Sequence, residues 1–163
     1  ADGNHLVFAY AKAITPRYDG PQGTCSEPGP AAITVVSARR SQPGVGGSAS
    51  PAASACSMNA VAATKDGYAG IEQCGNANIV RGPVRLVRYD AALRPLGHES
   101  LGQCGDGASI GGTVRSSDLV ISTYQYCSGT GEPTTRVFLS TGAGIRRLLS
   151  LPGGTTAIDH ITF

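Results

Sequence analysis

Three histidines and five cysteines are the residues of this chain with the most chemistry to offer. His5, His98 and His160 lie far apart, and no His-x-x-x-His or His-Glu-x-x-His spacing sets two of them on one helix face for zinc. His98-Glu99 is an adjacent acid–base pair, whereas Asp159-His160 on a strand would point to opposite faces. Cys-x-x-Cys is absent, and so are Asp-x-Asp loops of calcium spacing, so neither a metal nor a cofactor is expected. Gly-x-Ser-x-Gly, the elbow that presents a serine nucleophile, does not occur either, and no catalytic residue is assigned. Gly105-Asp-Gly107 and Gly142-Ala-Gly144 lack the Lys-Ser/Thr of a phosphate cradle and read as strand turns.

Binding chemistry is better represented. Six tyrosines stand against three phenylalanines and no tryptophan, and tyrosine combines rigid contact area with a polar tip suited to peptides or glycans. Tyr124 and Tyr126, two apart, would share a strand face beside Cys127. Arg17, Tyr18 and Asp19 sit in a proline-rich stretch, Ile14 to Pro30, longer than a hairpin needs. These five residues are the ligand-binding candidates. Thirteen Lys+Arg against eleven Asp+Glu leave a net charge of only +2 in 163 residues. With no basic groove interleaved with aromatics, nucleic acid is not an expected partner. No run of apolar residues is long enough for a transmembrane helix.

Five cysteines in a chain with few charges and 23 glycines point to an oxidising compartment, hence to disulfides and to a secreted protein or one of the cell envelope. No secretory leader is visible from Ala1, so one is expected either to have been removed or to lie outside this sequence. The preferred pairing is Cys25–Cys56 with Cys104–Cys127. The first would close a loop of about 30 residues and stabilise by a few kcal/mol. Cys74 is then left unpaired or bonded to another chain.

The elements that must position these residues are strands. Stretches 5–12, 32–39, 84–89, 118–126, 135–140, 145–151 and 157–163 are short, β-branched or alternating, and bounded by turn residues. In 84–89 the expectation is that the arginines are exposed and the aliphatics buried. Turns are expected at Lys65-Asp66-Gly67, Gly142-Ala143-Gly144 and Pro152-Gly153-Gly154. Helical periodicity is lacking. Residues 41–54, almost wholly Gly, Ser, Ala and Pro, read as a flexible loop within a single domain spanning 1–163. Gln73-Cys74-Gly75 recurs as Gln103-Cys104-Gly105, a weak internal repeat. Four strands are expected between about 56 and 106 and four more from about 109 to 152, units of roughly 45 residues that suit propeller blades.

Val87-Arg-Tyr-Asp-Ala-Ala-Leu-Arg-Pro-Leu96 and Asp118-Leu-Val-Ile-Ser-Thr-Tyr124 carry the likeness, together with the chain ends. Ile158 to Phe163 read on into Ala1-Asp-Gly-Asn-His-Leu-Val-Phe8 gives strand, Asp-Gly turn, strand. In these features the sequence resembles β-propellers of the TolB and WD40-like class. That resemblance implies four-stranded antiparallel blades, about three of them, in an incomplete ring whose open flank associates with a second copy or another chain. A β-sandwich is the alternative with the same strand spacing. The functional expectation is a non-catalytic extracytoplasmic binding or scaffolding module for a protein or polymer ligand. The competing expectation is the propeller part of a secreted hydrolase or lyase.

Overall fold

The structure is a computed structural model that describes residues 5–13, 28–37, 44–51, 56–74, 82–112, 116–125 and 132–153. Ten strands form in these segments: β1 (His5–Ala13), β2 (Pro28–Ser37), β3 (Gly44–Ala49), β4 (Cys56–Thr64), β5 (Gly67–Cys74), β6 (Gly82–Asp90), β7 (Pro95–Gly112), β8 (Leu119–Gln125), β9 (Thr134–Thr141) and β10 (Gly144–Pro152). β1, β2 and β3 make a small antiparallel sheet in that order. The other seven make one antiparallel meander from β4 at one edge to β10 at the other. Among the described residues no helix is long and apolar enough to cross a membrane.

β7 governs the architecture. Its first part, up to Gly105, pairs with β6, and from Gly105 onward it pairs with β8. The register shifts between Gly105 and Gly107, where a run rich in small residues lets the strand change partner. The meander is thereby divided into two four-stranded halves that share β7. Ala62, Ala69, Ile71, Val84 and Leu86 from the first half form one core with Leu119, Ile121 and Phe138 from the second. The two halves therefore stack face to face as a β-sandwich. Polar contacts stitch one end of the stack. The Lys65 amide donates to the Ser116 carbonyl at 3.1 Å, and the Ser117 hydroxyl donates to the Asp66 carboxylate. Arg88 donates to the Ser117 carbonyl at 2.9 Å and to Ser140 Oγ at 2.7 Å.

The outer face of the first half carries a second cluster of Met58, Val87, Tyr89 and Leu93, with Val61, Tyr68 and Ala49 of β3 packed on it. β1 and β2 lie against β4. The turn from β6 into β7 is built for this contact. Asp90 Oδ1 accepts from the amides of Ala92 and Arg94, each at 2.9 Å, and its other oxygen takes the Arg94 Nε–H at 2.7 Å. These bonds hold Leu93 at a φ of 60°, a left-handed conformation that is costly for leucine. Burial of its side chain in the second cluster offsets that cost.

The expected incomplete propeller, with its open ring of blades, is overturned by this topology. The count of four strands and four more is what the chain contains, yet the two sets share β7 and stack on each other, and neither closes into a ring or barrel. The alternative β-sandwich is the fold. The internal repeat fails with the blades, because Cys74 ends β5 whereas Cys104 lies inside β7. Within the expected flexible loop, Gly44–Ala49 pairs with β2 as a strand. Expected strand 157–163 and Phe163 lie outside the described residues.

Two substitutions test the packing. Ile121 is wholly buried, and Ile121→Ala is expected to destabilise by about 2–5 kcal/mol in urea unfolding. Gly67 has a φ of 153°, and a Cβ there would meet the Tyr89 carbonyl oxygen at 2.2 Å. Gly67→Ala is therefore expected to lower the melting temperature markedly, whereas Gly142→Ala, with open space around it, leaves it unchanged.

Candidate functional site

Among the described residues, the densest group of reactive side chains lies on the outer face of the first half, where β4, β5 and β6 run side by side. Strand alternation puts Cys56 and Met58 of β4, Glu72 and Cys74 of β5, and Arg85, Val87 and Tyr89 of β6 on that face. Cys56 stands opposite Cys74 and bonds to it in a disulfide. Glu72 stands opposite Arg85, and its Oε2 accepts from Arg85 Nε at 2.9 Å. Glu72 is 1% exposed, so this carboxylate is held almost wholly by protein partners. The Tyr89 hydroxyl donates to its other oxygen at 3.4 Å. Arg85 also reaches the disulfide: Nη2 lies 3.1 Å from Cys56 Sγ.

Burial raises the Tyr89 hydroxyl, and the Glu72 carboxylate beside it adds to the effect, so its pKa is pushed up to about 12 despite the opposing Arg85 charge. Glu72, Cys56 and Cys74 offer donor atoms all within 4.8 Å of one another, spacing that a metal ion could bridge. The sulfurs are joined, however, and a disulfide supplies no thiolate for a soft cation. The arrangement acts instead as a clamp. An ion pair, a phenol and a covalent bond tie three adjacent strands on the outer face of the first half.

A second charged group occupies the other face. Arg88, between the stacked halves, faces Glu99 at 3.9 Å as well as its partners Ser117 and Ser140. The expectation that the arginines of 84–89 are exposed is corrected on both counts. Arg85 and Arg88 are half-buried on opposite faces, because each finds acceptors that the surrounding aliphatics do not supply.

The expected pairing of Cys25 with Cys56 is overturned, and so is the expectation of an unpaired Cys74. Cys104 is disulfide-bonded as well, while Cys25 and Cys127 lie outside the described residues. Of the ligand-binding candidates, Tyr124 sits half-buried on β8, on the face opposite Leu119 and Ile121. Arg17, Tyr18, Asp19 and Tyr126 lie outside the described residues. Sequence reasoning missed Glu72, Arg85 and Tyr89. The signal was there in Glu72-Gln-Cys74, which puts an acid and a cysteine on one strand face.

No protein-family model, no curated protein and no solved structure matches this chain. The disulfide is consistent with an oxidising, non-cytoplasmic compartment.

Tyr89 ionises at about 12 in the folded chain and at its ordinary value of 10.0 when unfolded. Between those values the unfolded chain releases a proton that the native chain keeps, so this contribution to stability is complete below pH 10 and falls as the pH rises above it. Ultraviolet titration of phenolate is expected to show a component that ionises above the ordinary tyrosine value. Glu72→Gln is expected to bring that component down toward the ordinary value and to cost about 1.5–3 kcal/mol in urea unfolding, as a charged hydrogen bond is lost.

Proposed function

We propose that the chain is a non-catalytic, secreted β-sandwich module that binds an extended, acidic segment of a partner protein along β10. One observation carries this reading. β10 is the edge of the seven-stranded sheet, and it presents Leu148, Leu149 and Leu151 at 43–49% exposure. Among the described residues nothing pairs with its outer side. Long apolar edges are normally shortened, covered or charged, since they template pairing with other chains. Here the only charges on the strand are Arg146 and Arg147, both exposed.

An added strand would satisfy the outward backbone groups of β10, lay aliphatic side chains on the leucines and neutralise the arginines. Edge-to-edge pairing of a second copy would concentrate guanidinium charge on one short ladder, which disfavours self-association and selects an acidic partner. A peptide fits this edge better than a glycan, because the recognition groups are a row of backbone N–H and C=O. The competing reading, part of a secreted hydrolase or lyase, needs an acid or nucleophile open to substrate. Glu72, the buried acid of the described core, is sealed and already engaged.

A nine-residue peptide alternating Glu and Val, matched to the nine residues of β10 and blocked at both ends, is the probe. Fluorescence anisotropy is expected to show salt-sensitive binding. Leu149→Lys combined with Leu151→Lys is expected to weaken it about tenfold or more without lowering the melting temperature. No binding to the unaltered chain, or equal binding of a Lys–Val peptide, would overturn the proposal. So would a concentration-dependent dimer by sedimentation that the same double variant abolishes.

A further inference from the structure

We propose that Cys56–Cys74 is a directional thiol-exchange site, opened by a dithiol that attacks Cys74 and expels Cys56 as a thiolate held by Arg85. The two sulfurs are not equivalent. Cys56 is 2% exposed, at the start of β4, while Cys74 is only partly buried at the end of β5. An attacking thiolate must approach one sulfur in line with the S–S bond, and of the two residues Cys74 is the more exposed. The leaving sulfur is then Cys56, which moves off with the electron pair.

Departure is faster from a thiol of low pKa, and a neighbouring guanidinium lowers thiol pKa. Arg85 Nη2 is already 3.1 Å from Cys56 Sγ. It is kept there by its own strand position opposite Glu72 and by the 2.9 Å bond from Nε to Glu72 Oε2. Glu72 lies within 4.8 Å of the sulfur and opposes the effect through its charge, but Arg85 is the group that donates a hydrogen bond to Cys56 Sγ, and that bond favours the thiolate directly.

The chemistry balances with a dithiol reductant. A thiolate of the reductant bonds to Cys74 Sγ as the Cys56–Cys74 bond breaks, leaving Cys56 anionic. The second thiol of the reductant loses its proton to water and attacks its partner sulfur. The mixed disulfide breaks, the reductant leaves as a cyclic disulfide, and Cys74 takes up a proton. Two electrons pass from the dithiol to the protein. The result unties the first residue of β4 from β5, next to the point where the chain enters from β3.

The test uses the full chain. Brief exposure to a monothiol, β-mercaptoethanol, followed by acid quench and peptide mapping, is expected to place the adduct on Cys74. An adduct on Cys56, or equally on both, would overturn the proposal. With dithiothreitol, Arg85→Met is expected to slow reduction of this bond by about three- to tenfold, and Arg85→Lys by less. An unchanged rate in an Arg85→Met chain whose melting temperature matches the parent would also overturn it. In Cys74→Ser the alkylation rate of Cys56 by iodoacetamide is expected to titrate below the ordinary thiol value of about 8.5, and titration at or above that value counts against the proposal.

Discussion

A flat antiparallel sheet of seven strands has two faces to cover, and a chain of this size has little left with which to cover them. The structure meets that constraint by letting β7 change partners at Gly105. The meander folds over itself, and one face of each half covers the other. Ile71, Leu86, Leu119 and Ile121 are fully buried as a result, at about 1.5–3 kcal/mol for each side chain. Every other feature follows from this stacking. It places the β4–β5 turn beside the β7–β8 connection, so that Asp66 and Arg88 reach Ser117. It also leaves the outer face of the first half for the small sheet.

That outer face is where the chain departs from simple apolar packing. Glu72 and Arg85 occupy positions that aliphatic residues could fill, and a buried ion pair is seldom the most stabilising choice. What the pair does is fix geometry. Its bonds run across the strands from β6 to β5, and Arg85 extends the contact to β4 through Cys56. Tyr89 adds a link along β6. Leaving any one member of this buried group unpartnered would strand a polar group out of water, so the network is specified as a unit.

How far the fold can be read from residue types follows local composition. β6, β8, β9 and β10 have apolar, β-branched or aromatic centres, and their positions are plain in the sequence. β3, β5 and β7 are rich in glycine and small residues, which mark turns by habit, and there the pattern misleads. The stacking is harder still. Two sets of four strands can stand as separate blades or share a strand, and a count of strands is the same for both. The disulfide shows why pairing needs register. The turn at Lys65-Asp66 sets Thr64 opposite Gly67, and counting outward from there brings Cys56 opposite Gly75, not Cys74. One bulge between Met58 and Ala60 moves the partner by a residue and makes the bond feasible. A bulge of that kind leaves no mark in composition.

The two ends of the meander have opposite fates, and the difference is physical. β4 is an edge strand by order, yet its approach is taken by the small sheet and its first residue is covalently tied. Among the described residues β10 has neither protection. Its pairing with β9 slips between Arg147 and Leu149, and the leucines beyond the slip are exposed on the last strand of the sheet. Arginines placed just before those leucines keep the edge in water and oppose its pairing with itself. The same sheet thus has one edge closed by packing and a covalent bond, and one whose exposed leucines are balanced only by the two arginines beside them.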